Sequence, residues 1–591
     1  MVVARSGPGG VSGGEVDTRP GAAELRAARN ESRGLYWAVA VFSLFVNALM
    51  LTGPLYMLNV YDRVLGSRSV ETLLALTVLV AFLYGCMALL DVVRGRVMQR
   101  AGARFQDRLD HRVFSASLRA GTLARAPREA SSGLRDLEAV QKALTSPGLV
   151  AAFDLPFAPL FFAGIFVFHP WLGWLGVGGA VLLVALALYN QRATRRPLEE
   201  ASRAAVAAEM AGQQIRQEAE TVQSLGMREA AFGRWRQARE RSLASAISAQ
   251  DAGGASQSMI RAVRLFLQSA MLGLGALVVL RGEMSAGAMI AGSILLGRAL
   301  APIEAIVGGW ALLSRGREAW ASLARLLSEV PEDSRRTALP RPKGRLELEQ
   351  VTVVPPGESQ ATLRMVSFRV EPGQAVGVIG TSGSGKSTLA RAITGHWRVA
   401  AGKIRLDGAA LDQYDPDVLG RHVGYLPQRV VLFEGTIAEN IARLAAHPDP
   451  AEVVRAARQA AAHEMILKLP DGYDTRVSPG GGRLSGGQMQ RIGLARALYG
   501  EPAVVVLDEP NSNLDNEGSL ALNAAIRALK ERGAAVLIMA HRPAAIAECD
   551  LLLMIEGGAR RAFGPKEEVL REVTQNHRQI QAAPVPSGGV T

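Results

Sequence analysis

Cysteine is nearly absent from this chain of 591 residues, which contains only Cys86, inside an apolar stretch, and Cys549, late in the sequence. Two isolated thiols form neither a disulfide framework nor the CxxC spacing of a metal site. The sequence therefore excludes a small disulfide-bonded domain, and we expect both thiols to contribute only to packing.

A cleavable signal segment is also lacking. The first 34 residues contain no sustained apolar run, and the apolar stretch that follows is too long and has no small-residue cleavage site. We expect residues 1–34 to form a disordered tail and the first apolar stretch to remain as a membrane anchor.

The charge balance is strongly basic although the chain is apolar. Hydrophobic residues make up 49% of the chain, yet its formal net charge is +12. A basic chain is also compatible with nucleic-acid binding, so the positions of the arginines must decide. Basic residues that follow apolar stretches directly indicate a membrane protein, and we infer contact with a lipid membrane and none with nucleic acid. The arginines in question are Arg94, Arg96, Arg100, Arg104, Arg108, Arg112, Arg192, Arg195 and Arg196.

Six apolar segments are each near the roughly 20 residues that a helix needs to cross about 30 Å of hydrocarbon. They lie at about 35–59, 73–92, 150–168, 171–189, 259–280 and 286–306. The alternative is that some of them are buried helices of a soluble domain. Short turns follow the first, third and fifth segments, whereas Arg-rich stretches of more than fifty residues follow the second and fourth. We expect those stretches to be cytoplasmic continuations of the helices.

A glycine-rich loop follows the apolar strand 375–379, and this arrangement predicts a nucleotide site. Glycines allow backbone N–H groups to close around phosphates, Lys386 reaches the β and γ oxygens, and the Ser387 hydroxyl binds Mg²⁺. The helix that begins there adds its positive N-terminal dipole. The predicted phosphate-binding residues are Gly380, Thr381, Ser382, Gly383, Ser384, Gly385, Lys386, Ser387 and Thr388.

A second group of motifs supplies the carboxylates and the polar groups around them. Asp508 ends an apolar strand and is expected to orient on Mg²⁺ with Ser387 and Gln428, while the adjacent Glu509 polarises the attacking water. Gln428 resembles the Q-loop glutamine, and His541, which follows the strand 535–539, resembles the switch histidine that contacts the γ-phosphate. A histidine at a strand end would by itself more often be structural.

The segment Leu484 to Gln488 lies shortly before this strand and is typical of ABC ATPases. In that family Ser485, Gly486, Gly487 and Gln488 contact the nucleotide bound to the other subunit, and Asp515 resembles the D-loop residue at the dimer interface. No internal repeat is visible, so the single ATPase domain requires a partner, and a homodimer is the simplest assembly. The expected cofactors are ATP and Mg²⁺.

These motifs predict a multi-domain chain in which an all-α transmembrane domain of six helices is fused to an α/β P-loop ABC ATPase domain. We place the transmembrane domain at 35–329, a polar linker at 330–344, the ATPase domain at 345–576 and a tail at 577–591. One position departs from the ABC pattern, because Pro355 stands where an aromatic residue commonly stacks on adenine. Stacking on the base is therefore in doubt.

Segments 43–65, 153–159 and 297–302 resemble the permease/ATPases of type I secretion systems of the PrtD type. The resemblance implies ATP-driven export of an unfolded polypeptide with a C-terminal signal across the bacterial inner membrane, with the ATPase domain in the cytoplasm. It also implies a periplasmic membrane-fusion protein and a TolC-like outer-membrane channel as partners. The short N-terminal tail is expected to hold no leader peptidase. The alternative is a lipid or drug exporter of the same architecture.

Charged residues within the spans are costly and usually face protein or water. Arg298 and Glu304 lie in the sixth segment and Asp154 in the third. One interpretation places Arg298 on the translocation path. The other is that Arg298 reaches the interface or pairs with a carboxylate, while Asp154 caps a helix near the cytoplasmic side.

Overall fold

The computed structural model describes residues 18–121, 127–332, 336, 339–478, 484–514, 516–540 and 543–572. They divide into two compact units. The first consists of the residues up to Glu332, apart from a short stretch after Ala120, and the second consists mainly of the residues that follow.

The regular secondary structure in the described part of the first unit is helical. Its α-helices are α1 (Arg19–Asn30), α2 (Arg33–Leu49), α3 (Thr52–Asn59), α4 (Leu65–Ser67), α5 (Val70–Ala120), α6 (Pro127–Leu144), α7 (Pro147–Asp154), α8 (Ala158–Phe168), α9 (Pro170–Gln217), α10 (Ala219–Ser224), α11 (Arg228–Leu280), α12 (Ala286–Gly308) and α13 (Trp310–Glu329). A π-helical turn, Val60–Val64, joins α3 to α4.

Six helical segments of this unit are long and apolar enough to cross a membrane, which confirms the predicted all-α transmembrane domain. They are Arg33–Ser67, Val70–Ala120, Ser132–Phe168, Pro170–Gln217, Arg228–Leu280 and Ala286–Gly308. At most 44% of the apolar window in any of them is buried, so most of that surface is left for lipid or another chain.

Three of these helices are far longer than a bilayer requires. α5, α9 and α11 contain 51, 48 and 53 residues. At about 1.5 Å per residue each extends over roughly 70–80 Å, more than twice the hydrocarbon thickness. In each helix one half is apolar and the other is rich in Arg and Ala, residues that favour helix without favouring lipid. The helices therefore continue beyond the membrane as predicted.

The N-terminal region differs from the disordered tail expected over residues 1–34. Helix α1 packs against α13, and Leu25 and Ala28, three residues apart on one face, are buried. Glu24 accepts a hydrogen bond of 2.9 Å from Nε of Arg112. Three buried residues, Gly21 among them, and two ion pairs to α5 are too short a pattern to stand out in a polar sequence. Residues 1–17 lie outside the described residues.

The second unit is an α/β fold, which confirms the predicted class. Its strands are β1 (Leu346–Val353), β2 (Leu363–Val370), β3 (Ala375–Ile379), β4 (Ala401–Leu406), β5 (Ala409–Ala410), β6 (Val423–Leu426), β7 (Gly435–Thr436), β8 (Arg476–Val477), β9 (Val504–Asp508), β10 (Ala535–Met539), β11 (Leu551–Glu556) and β12 (Ala559–Pro565). Its α-helices are α14 (Lys386–Ile393), α15 (Pro416–His422), α16 (Ile437–Ile441), α17 (Pro450–Gln459), α18 (His463–Leu467), α19 (Gly486–Leu498) and α20 (Asn516–Glu531).

The main sheet has the strand order β12-β11-β3-β10-β9-β6 and is parallel except for β12, which pairs antiparallel at one edge. A second, antiparallel sheet has the order β2-β1-β4-β5. Alternate side chains of β9 belong to two different cores, Val504 and Val506 on one face and Val505 and Leu507 on the other. Burial on both faces explains why the strands are continuous apolar runs, as in other parallel sheets. The carboxyl ends of β3 and β9 lie at the same sheet edge, where α/β folds bind ligands.

Candidate nucleotide-binding site

The loop after β3 has the backbone conformation of a phosphate-binding loop. Gly385, immediately before α14, has φ of 106°, a left-handed conformation that disfavours side chains. A Cβ there would lie 2.7 Å from Cδ2 of Leu363 and 3.2 Å from the carbonyl oxygen of Thr362. The loop therefore requires glycine for both conformation and space, and the N–H groups at the start of α14 are left free to bind an anion.

Lys386 is folded back over the loop. Its ammonium group donates hydrogen bonds of 2.9 Å to the carbonyl oxygens of both Gly380 and Thr381. Burial lowers the pKa of Lys386, while the nearby Glu509 and Asp508 act in the opposite direction. The ammonium group is thus held at the loop by two neutral carbonyl oxygens. Its hydrogen bonds to these oxygens are weaker than those it would form with the charged oxygens of a phosphate.

Ser387 and Asp508 bring two oxygen ligands together. The Ser387 hydroxyl donates to Oδ1 of Asp508 across 3.2 Å, and Asp508 is 2% exposed at the end of β9. Burial raises the pKa of Asp508, the adjacent Glu509 raises it further, and the Ser387 hydrogen bond opposes this. A hydroxyl and a buried carboxylate are the oxygen donors that Mg²⁺ prefers, so these residues fit the ion.

Ser384 provides a second indication of a ligand. Its hydroxyl is buried and has no hydrogen-bond partner among the described residues. A buried polar group without a partner is unfavourable. Thr388, one residue after Ser387, is also buried. The loop thus contains polar capacity that a phosphate can satisfy, whereas Thr381, Ser382 and Gly383 are exposed at its rim.

Glu509 is held in a strained backbone conformation next to Asp508. Its φ is 51°, in the left-handed region that residues other than glycine rarely adopt. Its N–H donates to the carbonyl oxygen of Met539 on β10, and Gln428, two residues after β6, donates from Nε2 to Oε2 of Glu509 at 3.1 Å. Strain of this kind persists only where neighbouring contacts enforce it, and it is concentrated at functional sites. The sequence showed neither the strain nor the Gln428–Glu509 contact, because both depend on strands distant in the chain.

The predicted signature segment starts a helix. Ser485 caps α19: its hydroxyl accepts from the N–H of Gln488 at 3.3 Å, and Oε1 of Gln488 accepts from the N–H of Ser485 at 2.8 Å. This reciprocal capping box fixes the helix start. Ser485 and Gly486 are exposed. Within the described residues no hydrogen bond or ion pair joins residues 485–488 to the loop 380–388.

Two predicted site residues, His541 and Asp515, lie outside the described residues. Asn513, two positions before Asp515, contacts the start of α19, since a Cβ on Gly487 would lie 2.9 Å from the carbonyl oxygen of Asn513. The segment after β9 and the signature helix therefore pack together within one chain.

Pro355 is buried in a tight turn. The N–H of Glu358 donates to its carbonyl oxygen at 3.1 Å, with Pro356 and Gly357 at the turn centre. Gly357 has φ of 84°, the value that a type II turn requires at this position. A buried proline presents no open face to a base, so the position expected to stack on adenine is used for a turn.

The membrane domain contains a buried polar cluster that connects three helices. Nη1 of Arg94, on α5, lies 2.6 Å from Oδ1 of Asp154 at the end of α7, and it also donates to the hydroxyl of Ser43 on α2 at 3.0 Å. Asn47 donates to the same Asp154 oxygen at 2.9 Å. The expectation that Asp154 caps a helix is wrong, because its side chain makes no capping hydrogen bond and pairs with Arg94. Arg94 was grouped with loop arginines, and nothing in the sequence indicated this partner.

Asp62 in the π-helical turn forms another long-range contact. Its Oδ2 accepts from the hydroxyl of Ser285 at 2.6 Å, and its Oδ1 accepts from the N–H of Gly287 at 3.0 Å, so it binds the start of α12. A carboxylate at a helix N-terminus is stabilising. Asp62 belongs to segment 43–65, and its contacts give it a structural role at the start of α12.

Comparisons with known proteins agree with this two-part organisation. Residues 36–300 match the family model described as ABC transporter transmembrane region, and residues 363–512 match the model described as ABC transporter. The type I secretion system ATP-binding protein PrsD of Rhizobium meliloti (strain 1021) is 43% identical over 93% of this chain and 95% of its own length. The cyclolysin secretion/processing ATP-binding protein CyaB of Bordetella pertussis is 30% identical over 91% of this chain and 76% of its own.

Among solved structures, a bacterial Atm1-family ABC exporter with ATP bound is similar, with a TM-score of 0.79. It is 24% identical in sequence, and the match covers 94% of this chain and 99% of the exporter. This similarity supports the fold of an ABC exporter and nothing more.

Proposed function

The chain belongs to the ABC transporter family of type I secretion ATP-binding proteins, and from this premise we propose that it exports an unfolded polypeptide with a C-terminal signal across the bacterial inner membrane. The observation that carries the proposal is the 43% identity to PrsD, which extends over both the membrane and the ATPase parts. The chain is a multi-pass membrane protein that binds ATP and couples ATP hydrolysis to transport.

Within the ATPase we assign the triphosphate to the loop 380–388. Lys386 exchanges the carbonyl oxygens of Gly380 and Thr381 for phosphate oxygens, a stronger charge-assisted contact. Ser387, Asp508 and Gln428 would hold Mg²⁺, which when bound neutralises phosphate charge. Burial raises the pKa of Asp508. A cation held beside it would lower that pKa and favour the ionised form of the carboxylate.

Glu509 is the residue that we assign to the attacking water. A general base must have a free oxygen within hydrogen-bond reach of that water. In the structure Gln428 occupies Oε2 of Glu509 at 3.1 Å. Rotation of Gln428 away from Glu509 would free this oxygen, so catalytic competence and the position of Gln428 are coupled. We assign to His541 contact with the γ-phosphate.

A homodimer completes the proposed site. Ser485 and Gly486 are exposed at the start of a 13-residue helix, and this helix end can bind the phosphates held by another subunit. Gly487 and Gln488 belong to the same contact, and Asp515 is assigned to the subunit interface. Each dimer would then bind two ATP molecules between opposed loops.

The proposed partners follow from the family. They are a periplasmic membrane-fusion protein, a TolC-like outer-membrane channel and the secreted polypeptide, with the ATPase domain in the cytoplasm. The names of the relatives, secretion of cyclolysin among them, support a polypeptide as the class of substrate.

Deletion of the gene in its host tests the proposal. We expect particular proteins to disappear from the culture medium and to return with the wild-type gene, but not with the Glu509→Gln variant. Removal of the C-terminal segment from one of these proteins should leave it inside the cell. An unchanged set of secreted proteins, with ATPase activity stimulated by lipid, would instead indicate a lipid exporter.

A further inference from the structure

A row of three arginines follows the apolar half of α5. Arg96, Arg100 and Arg104 are four residues apart, so each lies about 6 Å along the helix and about 40° around it from the one before. All three are exposed, and none forms an ion pair or a side-chain hydrogen bond with another described residue. We call these three residues the arginine row.

The arginines on either side of the row have carboxylate partners. Arg94, two positions before it, is buried and pairs with Asp154 at 2.6 Å. Arg108, four positions after it, pairs with Glu31 at 3.1 Å. Asp107 lies within one turn of the last residue of the row, is exposed and forms no ion pair with it. The described part of the chain therefore neutralises the flanking arginines and leaves the charges of the row without a partner.

Two contacts fix the level of the row relative to α2. Nη1 of Arg94 donates to the hydroxyl of Ser43 at 3.0 Å, and Nε of Arg108 lies 3.1 Å from Glu31. The chain from Glu31 to Ser43 spans 12 positions, and α5 from Arg94 to Arg108 spans 14, so the two segments run antiparallel side by side. Trp37, midway between Glu31 and Ser43, is therefore about level with the middle residue of the row.

This level is that of the lipid headgroups. Trp37 is 73% exposed near the start of the first apolar segment, and tryptophan is enriched at the boundary between membrane and water. On α5 the last exposed apolar side chain before the row is Val92, about 6 Å before Arg96 along the axis. The headgroup layer is roughly 5–8 Å thick on each side of a bilayer. Arginine side chains are long enough to extend back toward this layer from just outside it, so the whole row can reach lipid headgroups.

We propose that the arginine row binds the phosphate groups of anionic phospholipids, so that a lipid such as phosphatidylglycerol stabilises the transporter. Guanidinium groups match phosphate in geometry and charge, and basic segments next to a membrane span are attracted to anionic lipid. The position of the row at headgroup level favours a lipid over a soluble anion. The site is separate from the nucleotide site and does not depend on what the transporter exports.

Thermal unfolding of the full chain tests the proposal. Protein without nucleotide is compared in nanodiscs of phosphatidylcholine alone and of phosphatidylcholine mixed with phosphatidylglycerol. We expect phosphatidylglycerol to raise the unfolding temperature by about 2–4 °C, and less as salt is added. The variant Arg96→Gln/Arg100→Gln/Arg104→Gln should lose most of this shift. In phosphatidylcholine alone it should unfold close to the wild-type temperature, because the row forms no bonds within the described chain.

The matched control removes three exposed arginines from another long helix. Arg234→Gln/Arg239→Gln/Arg241→Gln changes the net charge equally, on α11. These residues lie at least 18 positions before the apolar segment that begins at 259, or about 27 Å along the helix, which exceeds the screening length of about 8–10 Å. This variant should keep the full shift.

Equal shifts in the wild type and the row variant would overturn the proposal. Equal losses in the row and control variants would also overturn it, since they would indicate a general effect of net charge. If the row variant were a monomer where the wild type is a dimer, the row would instead belong to a contact between subunits. An equal shift from soluble glycerol phosphate in phosphatidylcholine nanodiscs would make the row a site for soluble anions.

Native mass spectrometry of the wild type decides the question even if the glutamine variant fails to fold. Protein released from the mixed nanodiscs should retain phosphatidylglycerol in preference to phosphatidylcholine, and no preference would overturn the proposal. The variant Arg96→Lys/Arg100→Lys/Arg104→Lys keeps the charges and should keep part of the shift. Because nucleotide and cargo are absent, these outcomes are independent of the test of polypeptide export.

Discussion

At the scale of single residues, side chains of the nucleotide site form hydrogen bonds with one another or with their own loop, and one of them has a strained backbone. Glu509 has a left-handed backbone and gives one carboxylate oxygen to Gln428, and Lys386 is bonded to its own loop. These hydrogen bonds occupy groups to which we assign other partners, the phosphate oxygens for Lys386 and the attacking water for Glu509. The arrangement keeps the side chains near their working positions while their hydrogen bonds are satisfied internally.

Replacement of Glu509 by Gln should separate binding from hydrolysis. The amide keeps the shape of the side chain but cannot accept a proton, so we expect phosphate release to fall by about 10²–10⁴-fold, the usual contribution of a general base. ATP should still bind, because the loop 380–388 is intact. Phosphate release and filter binding of labelled ATP measure the two effects. Glu531→Gln, exposed at the end of α20, is the control, and unchanged hydrolysis in Glu509→Gln would remove Glu509 from its assigned role.

Cys549 should be chemically inert in the folded protein. Burial raises its pKa to about 12, so almost no thiolate is present at pH 8, and the thiolate is the reactive form. In a Cys86→Ser background we expect no labelling by N-ethylmaleimide until the protein is denatured, as measured by mass spectrometry. Ser359→Cys, at an exposed position, provides a positive control. Rapid labelling of Cys549 in the native protein would contradict its buried position.

At the scale of helices and strands, polar contacts between distant segments organise the membrane domain. The cluster of Arg94, Asp154, Asn47 and Ser43 joins α2, α5 and α7. Asp62 joins the π-helical turn to the start of α12. Helices in lipid gain little from apolar contact with one another, so such bonds contribute to their specific pairing.

Removal of one partner of the Arg94–Asp154 pair should be strongly destabilising. The two side chains are only 10% and 12% exposed. Arg94 also pairs with Asp91 at 2.9 Å, so Asp154→Ala removes one of the two carboxylates of a buried cation, at a cost of about 1–3 kcal/mol. The double variant Arg94→Leu/Asp154→Leu should recover much of this loss. Thermal unfolding of the full chain in detergent measures the order of stabilities. The exposed pair Arg108–Glu31 is the control, since Arg108→Leu should cost less than about 1 kcal/mol; equal effects of Asp154→Ala and Arg108→Leu would argue against the cluster.

Several elements could be predicted from the sequence because their signals are local. The six spans followed from apolar length, and the loop 380–388 followed from glycine spacing after an apolar strand. Helix α1 was missed because its buried face consists of just three small or apolar residues, Gly21, Leu25 and Ala28. The partner of Asp154 was missed because Arg94 lies 60 residues away and resembled other arginines that flank spans. Contacts of this kind depend on the tertiary fold and leave no pattern in a single sequence.

At the scale of the whole molecule, one chain contains both halves of the proposed nucleotide site, the loop 380–388 and the signature residues 485–488, but does not bring them into contact. The signature residues 485–488 make no described bond to the loop 380–388, and Ser485 and Gly486 are exposed. A second chain would supply the missing half of each site. In the proposed homodimer, the ATPase activity would depend on both subunits together and not on each subunit alone.

Mixing two inactive variants tests this division. Lys386→Ala disables the loop and Ser485→Arg blocks the signature, so each homodimer should hydrolyse little ATP. In a mixed dimer both defects fall in one site and the other site is intact. Co-expression with two different affinity tags and sequential purification should therefore yield dimers with measurable ATPase activity. If these mixed dimers were as inactive as either parent, or if the Ser485→Arg variant were fully active alone, the shared site would be refuted.

The unusual length of α11 has a mechanical consequence. A continuous helix of 53 residues is a lever of roughly 80 Å, and a tilt of about 5° around one end displaces the other by roughly 7 Å. A change too small to break a single side-chain contact near the pivot thus becomes a displacement larger than one helical turn at the tip. Insertion of a flexible glycine segment midway along this lever would leave both ends folded but remove the amplification.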